Sequence, residues 1–472
     1  MNAVDMPKPG NNSNAPFAFH SLMLMGSGIF KLASQIAVIL IYSRFLKIEE
    51  YGQYQLIWLY TNVFSTIALF GLPSLILSTG FINISNWITK NKKKFLLLAL
   101  ALNVLPFIYL SFFENNFSSE NIFALIIFIF TQNISIITEA LAVKFEKTVQ
   151  VLRVNIIFSI LFLSAHLYFI FFTYSLTNLL WSLSFVFLLK SFLLNINYTE
   201  NPTHVPVKII GKQWMHLGLF EVINVLFKWL DKWVILFFLS LTQFAIYFNG
   251  SYEIPVYALM LSAVGNIMLV QMSSIKQDSK EKIKDIFHKS ALFLAPIVFS
   301  SFCFLVFYYK PFFLFLFSEK YNESVPIFFI AIFIIPVRIT NYTSILQVLN
   351  KSNLIVRGAI LDFITAIILL LIFFPVFKLQ GVILSFVIST WVQAGYYLYQ
   401  TSKLLKIPFS STLPFMKLFK ILLIAIVVTL IGFAISYNFN YMVKLITGVI
   451  TTLGLFAYFV IPSIKKYKNL QS

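Results

Sequence analysis

The sequence predicts an all-α polytopic membrane protein of about 14 transmembrane helices, with 12 as the fallback count: two six-helix lobes followed by a further helix pair. Three observations lead there. Hydrophobic residues make up 59% of the 472 positions and charged residues only 11%, and the mean hydropathy is +0.86; a soluble chain of this length does not hide so much apolar surface. The apolar runs are continuous over about 20 residues, the length of a helix that crosses a hydrocarbon layer, and they do not alternate as barrel strands do. Basic residues also switch between rich and poor loops along the chain.

Taken in order, residues 1–19 are polar, carry Pro7, Pro9, Asn11, Asn12 and Asn14, and read as a disordered tail without a signal-peptide pattern. The N-terminal lobe covers 20–198, with apolar runs at about 20–43, 55–85, 95–113, 121–143, 154–173 and 178–198. A polar linker follows over 199–215, containing Pro202 and Pro206. The C-terminal lobe covers 216–402, with runs at about 216–239, 246–272, 290–309, 325–348, 357–376 and 380–402. The extra pair spans 418–462, and 463–472 is a second polar tail containing Lys465, Lys466 and Lys468. Loops on the starting side hold twenty-four lysines and arginines against six on the other side. By the positive-inside rule both termini are cytoplasmic.

The net charge of +18 therefore marks a membrane face and not a nucleic-acid partner. The single cysteine, Cys303, excludes an intramolecular disulfide and any multi-cysteine metal site. No GxxxxGK[ST] motif, HExxH or Ser-His-Asp cluster is present, and the loops are too short for an appended catalytic or nucleotide-binding domain. The expectation is a non-enzyme without cofactor, metal or catalytic residues.

Chemistry then rests on polar residues inside the spans, where a charge costs about 2.5–3.5 kcal/mol at mid-membrane and faces protein or water. The seventh span, Gly218 to Leu239, carries Glu221, Asn224, Lys228, Asp231 and Lys232, which fall on one helical stripe. The stripe reads as one wall of a hydrated cavity; the alternative is neutralisation of Lys228 within it, by Asp231 for instance. The first span carries Ser27, Lys31, Ser34 and Gln35 on one face, with Lys31 near mid-depth. The eighth has Asn249, Glu253 and Pro255, and the carboxylate reads either as an ion-binding group or as a partner for Lys228 or Lys232. Arg338 in the tenth span and Asp362 in the eleventh form a candidate pair. Glu139 and Lys190, towards cytoplasmic span ends, read as interfacial or structural.

A short internal repeat supports two halves: Tyr51, Gly52 and Tyr54 match Phe244, Ala245 and Tyr247, each in the turn after the first span of its lobe. Substrates of transporters built from repeats lie between the halves. Several motifs go further. Arg44 to Leu56 (RFLKIEEYGQYQL) resembles the arginine and YG-x-Y turn of bacterial polysaccharide flippases, and Phe70-Gly71-Leu72-Pro73 resembles their GL element. Leu230-Asp231-Lys232-Trp233 with Tyr247 is similar to their D-[KR] … G-x-Y pattern. Phe317 to Ser324 and Asn350 to Asn353 resemble the segments flanking their tenth span; Ala245 and Ser318 stand where the family often has glycine.

By these motifs the chain resembles the Wzx-type flippases of the multidrug/oligosaccharidyl-lipid/polysaccharide exporter superfamily. The resemblance implies movement of undecaprenyl-diphosphate-linked oligosaccharide repeat units, of O-antigen or capsule type, to the outer leaflet by ion-coupled alternating access. Membrane lipid, a glycan polymerase and a chain-length protein would be partners. Lys31, Lys228, Lys232 and Arg338 would be the cavity cations, Glu221, Asp231, Glu253 and Asp362 the ion-coupling candidates, and Gln35, Asn224 and Asn249 further polar lining. The competing readings are a cation-coupled multidrug exporter of the same superfamily, a flippase for the peptidoglycan lipid precursor, and a membrane glycosyltransferase or polymerase.

Overall fold

A computed structural model describes residues 14–78, 81–194, 207–273, 279–349 and 351–468, and among these the chain forms helices and no strand. Most of the expected N-terminal tail, the first part of the expected linker, Asn350 and the last four residues lie outside the described residues. Ten helices are individually long and apolar enough to cross a membrane, or eleven if one bent pair is counted as a span. The chain divides into two compact units, Met1–Leu230 and Asp231–Ser472.

The first unit contains α1 (Asn14–Phe45), α2 (Ile48–Leu69), α3 (Leu72–Ser78), α4 (Phe81–Lys90), α5 (Lys92–Phe112), α6 (Ser119–Lys144), α7 (Thr148–Tyr168), α8 (Leu176–Leu193) and α9 (Val207–Lys228). Helix α1 starts at Asn14, inside the stretch expected to be a tail. At the start of α2 the Glu50 carboxylate reaches back to accept the Lys47 N–H at 2.9 Å, satisfying a donor that has no partner within the helix. One turn on, Tyr51, Gly52 and Tyr54 are buried, and the Tyr54 hydroxyl meets His166 Nε2 on α7 at 3.0 Å.

Helix α2 ends where Phe70 and Gly71 take left-handed conformations, φ 43° and 72°, and α3 leaves at 55° to it. A Cβ on Gly71 would come within 2.6 Å of the Gly218 nitrogen on α9, and one on Gly218 within 2.2 Å of the Phe70 ring. The Phe70-Gly71-Leu72-Pro73 element is thus a helix break against which α9 packs backbone to backbone. Trp87 of α4 and Trp214 of α9 close this corner edge to face, with ring centres 5.2 Å apart.

The second unit contains α10 (Leu230–Phe238), α11 (Leu241–Gly250), α12 (Pro255–Ser273), α13 (Lys280–Phe317), α14 (Val325–Ala331), α15 (Ser344–Val348), α16 (Ser352–Leu405), α17 (Phe415–Ser436) and α18 (Tyr441–Lys468). Helix α11 begins as α2 does. Ser240 Oγ accepts the Gln243 N–H at 3.3 Å while the Gln243 side chain accepts the Ser240 N–H at 3.4 Å, and Phe244, Ala245 and Tyr247 are buried behind it. The internal repeat is therefore a repeated way of starting a helix: a side chain reaching back, then aromatic residues on the buried face.

Helix α16 is nominally 54 residues long, which straight would reach about 80 Å, far beyond a hydrocarbon layer of about 30 Å. It is a hairpin. Lys378 leaves the helical region at φ 50° and ψ −125°, a Cβ on Gly381 would approach the Phe373 carbonyl oxygen to 2.3 Å, and the Tyr397 hydroxyl donates to the Ile355 carbonyl at 3.0 Å. Its two arms correspond to the runs at 357–376 and 380–402. Helix α18 continues through Lys465, Lys466 and Lys468, which were expected in a tail.

Two further expected spans are broken, besides the run 55–85 at Phe70–Gly71. The run 216–239 is interrupted at Trp229, between α9 and α10, and 246–272 is interrupted at Ser251–Ile254, ahead of Pro255. The tenth run is irregular as well, with 3₁₀ geometry over Ile332–Ile339 and an extended Thr340.

Gly71→Val should lower the melting temperature of the detergent-purified protein, at about 1–3 kcal/mol for the forced backbone alone. Gly28→Ala, where an added Cβ meets nothing within 4 Å, should leave it unchanged; equal melting of the two variants would remove the backbone contact from the account.

Candidate functional site

In the first unit, four helices bring polar groups to one point. Lys31 of α1 binds Glu139 Oε1 of α6 at 2.8 Å, and Lys190 of α8 binds Glu139 Oε2 at 2.7 Å. Asn155 of α7 donates to Ser27 Oγ at 2.6 Å and to Glu139 Oε1 at 3.0 Å. Lys190 is buried and sits 4.7 Å over the Phe158 ring, a placement that favours a cation. Lys31 is more accessible: its side chain keeps 31% of its surface against 5% for Lys190. Two ammonium groups share one carboxylate, so the node carries one surplus positive charge.

Glu139 lies five residues before the end of α6 and Lys190 three before the end of α8, so the carboxylate that holds Lys31 sits about 8 Å from the end of its own helix. Of the Lys31 stripe, Ser27 and Ser34 are buried, Ser34 donating to the Lys31 carbonyl at 2.8 Å, while Gln35 is exposed. The sequence contains the signal that identifies Glu139 and Lys190, since both are charges inside apolar runs. Proximity to span ends makes them look peripheral.

The expected stripe of the seventh span is divided by the break at Trp229. On α9, Glu221 accepts a hydrogen bond from the Ser74 hydroxyl of α3, while Asn224 and Lys228 are exposed. Lys228 makes no ion pair among the described residues and lies 6.0 Å over the Trp229 ring. Pairing of Lys228 with Asp231 is not what forms. Within the second unit, buried Asp231 Oδ2 accepts from Lys232 at 2.8 Å and from the Tyr247 hydroxyl of α11 at 2.9 Å, and the Lys232 ammonium stands 5.9 Å over the Tyr247 ring. The Asp-Lys … Tyr pattern is a clamp between α10 and α11.

The expected pairing of Arg338 with Asp362 is corrected by the structure: the Arg338 guanidinium binds Glu253. Both residues occupy helix breaks, Glu253 between α11 and α12 and Arg338 at a non-helical position of the 3₁₀ segment. Asp362 makes no ion pair among the described residues, and the Ser389 hydroxyl on the facing arm of its hairpin donates to the Phe386 carbonyl at 3.1 Å. Asn249, expected as cavity lining, is 1% exposed and has no surface to offer a ligand in this conformation.

Two further carboxylates also have structural partners. Glu114 is buried, bound by the Tyr60 hydroxyl and by the Asn116 N–H at 2.6 Å, and Glu50 starts α2 and accepts from Tyr174 at 3.0 Å. Among the described residues no group of three or more His, Cys, Asp or Glu is placed to hold a metal ion.

Residues 41–326 match the family model described as polysaccharide biosynthesis protein. No curated protein matches the sequence. Among solved structures, the lipid II flippase MurJ in an inward closed conformation is similar with a TM-score of 0.70 at 14% identity, over 95% of this chain and 100% of that one. A point mutant of the Vibrio cholerae MATE transporter VcmN is similar with a TM-score of 0.49 at 13% identity, over 84% of this chain and 98% of that one. The MurJ likeness establishes a shared polytopic helical fold.

Tyr247→Phe should leave the protein folded but lower its stability by about 1.5–3 kcal/mol, the scale of one hydrogen bond to a charged group. Thermal denaturation in detergent measures this, and an unshifted midpoint would mean that Lys232 alone holds the Asp231 carboxylate.

Proposed function

Because the chain belongs to the polysaccharide biosynthesis protein family, we propose that it is a flippase for polyprenyl-diphosphate-linked oligosaccharides, carrying repeat units of O-antigen or capsule type to the outer leaflet of the bacterial inner membrane. The observation that carries the reading is the surplus cation of the first unit: Lys31 and Lys190 on a single carboxylate, with Lys31 reachable. A positive charge held inside an apolar span is costly unless it serves something, and phosphate oxygens form strong charge-assisted contacts with ammonium groups. With both termini cytoplasmic, as the loop charges imply, the ends of α6 and α8 near this node lie on the side where lipid-linked units are loaded.

Lys228, exposed and without an ion pair among the described residues, would extend the anion path along α9. Lys232 and Arg338 have carboxylate partners and would act only if these open. Transport would be by alternating access without ATP, since the chain carries no phosphate-binding loop. Of the four carboxylates considered for coupling to protons or sodium, Glu221, Asp231 and Glu253 have strong partners, which leaves Asp362 as the first choice. A glycan polymerase and a chain-length protein would receive the exported units.

Deletion of the gene in the source organism should abolish surface glycan and trap lipid-linked units on the cytoplasmic leaflet, and Lys228→Ala should reproduce the defect while the protein stays folded in the membrane. Intact surface glycan together with raised drug sensitivity would reassign the chain to multidrug export.

A further inference from the structure

We propose that Glu139 is an internal stand-in for a phosphoryl group: it holds Lys31 in place when no ligand is bound, and a phosphoryl anion displaces it from Lys31 while it stays on Lys190. The proposal deepens the reading above and rests on it for the nature of the ligand.

The bonding is divided so that this exchange strands no charge. Each carboxylate oxygen has its own lysine, Oε1 with Lys31 at 2.8 Å and Oε2 with Lys190 at 2.7 Å. Loss of the Lys31 contact therefore leaves Glu139 with a counter-ion, which avoids the heavy cost of a lone buried charge. The oxygen that is given up keeps a donor as well, because Asn155 binds it at 3.0 Å and is itself fixed, fully buried, by Ser27 at 2.6 Å. Among the described residues Asn155 Oδ1 is buried without a hydrogen-bond partner.

Access separates the two lysines. Lys190 keeps 5% of its side-chain surface and Lys31 keeps 31%, so an arriving anion meets Lys31. The surplus positive charge of the node offsets part of the charge of an arriving anion. An internal competitor also sets affinity: a transporter's site must bind well enough to load and weakly enough to unload, and a carboxylate that returns to Lys31 shortens the stay of the ligand. Glu139 is thus a positioning residue, acting on the ligand through Lys31.

The test uses the full chain in detergent, inorganic pyrophosphate as the probe, and titration calorimetry. The double variant Glu139→Gln with Lys190→Met keeps the formal charge of the node while removing the competitor. It should bind pyrophosphate about tenfold more tightly, the scale of one charge-assisted contact. Glu139→Asp, with full charge but a side chain too short to bridge both lysines, should also bind more tightly, and it serves if the double variant does not fold. Lys31→Gln should abolish binding. Unchanged or weaker affinity in the Glu139 variants, as a purely structural role requires, overturns the proposal, and so does wild-type affinity in Lys31→Gln. These results are independent of the cargo: a deletion strain with normal surface glycan would sink the flippase reading and leave the pyrophosphate binding standing.

Discussion

A charge inside a low-dielectric layer must find its partner within reach of its own side chain, and the rest of this structure is arranged around that requirement. Lys31, Lys190, Asp231, Lys232, Glu253 and Arg338 are held in ion pairs at distances that leave no room for water. Two of these sets tie separate elements together: α1, α6 and α8 through Glu139, and the breaks around Glu253 and Arg338 through each other. The pairs add fixed points to specific apolar packing such as that of Gly218 against Phe70 and Trp87 against Trp214.

Backbone demands the same treatment. Helices are interrupted at Phe70–Gly71, Trp229, Ser251–Ile254 and Thr340, and freed backbone groups in a hydrocarbon layer need partners other than lipid. At Phe70–Gly71 the break is buried by the close approach of Gly218. Discontinuous helices of this kind commonly frame binding sites in transporters, because a break exposes polar backbone and turns side chains away from the helical stripe to which they would otherwise belong.

That geometry explains what the sequence disclosed and what it hid. The all-helical polytopic fold is legible in the apolar runs, and the hairpin arms of α16 coincide with two of them. The motifs are also legible as motifs, though their physical content is not. Tyr247 proves to be the partner of Asp231, and Glu50 and Gln243 prove to be the matching helix starts behind the repeat. What fails is the assumption of unbroken helices. A stripe drawn at about 100° per residue from Glu221 to Lys232 assumes one helix, whereas α9 ends at Lys228 and α10 starts at Leu230, and Arg338 sits in 3₁₀ geometry and pairs with Glu253. Glu139 is easily undervalued for a related reason: distance to a span end, counted in residues, does not reveal that two lysines from other helices converge there.

The distribution of charge between the units carries the functional argument one step further. Among the polar residues inside spans, the first unit has Lys31, Lys190 and Lys228 against Glu139 and Glu221, whereas the second has Lys232 and Arg338 against Asp231, Glu253 and Asp362. The sum over both is neutral, which on its face argues against an anionic ligand. The sum is the wrong quantity. Interactions in a medium of low dielectric constant are strong but set by the nearest few groups, and the loop lysines that make up most of the +18 are screened within about 8 Å at physiological salt. Locally the first unit is cationic and its most accessible paired cation, Lys31, is held by a carboxylate with a second partner. On the proposed flippase reading, recognition of an anion falls to α1, α6, α7 and α8, and the excess of carboxylate in the second unit, with Asp362 lacking an ion pair among the described residues, would serve a cation or proton.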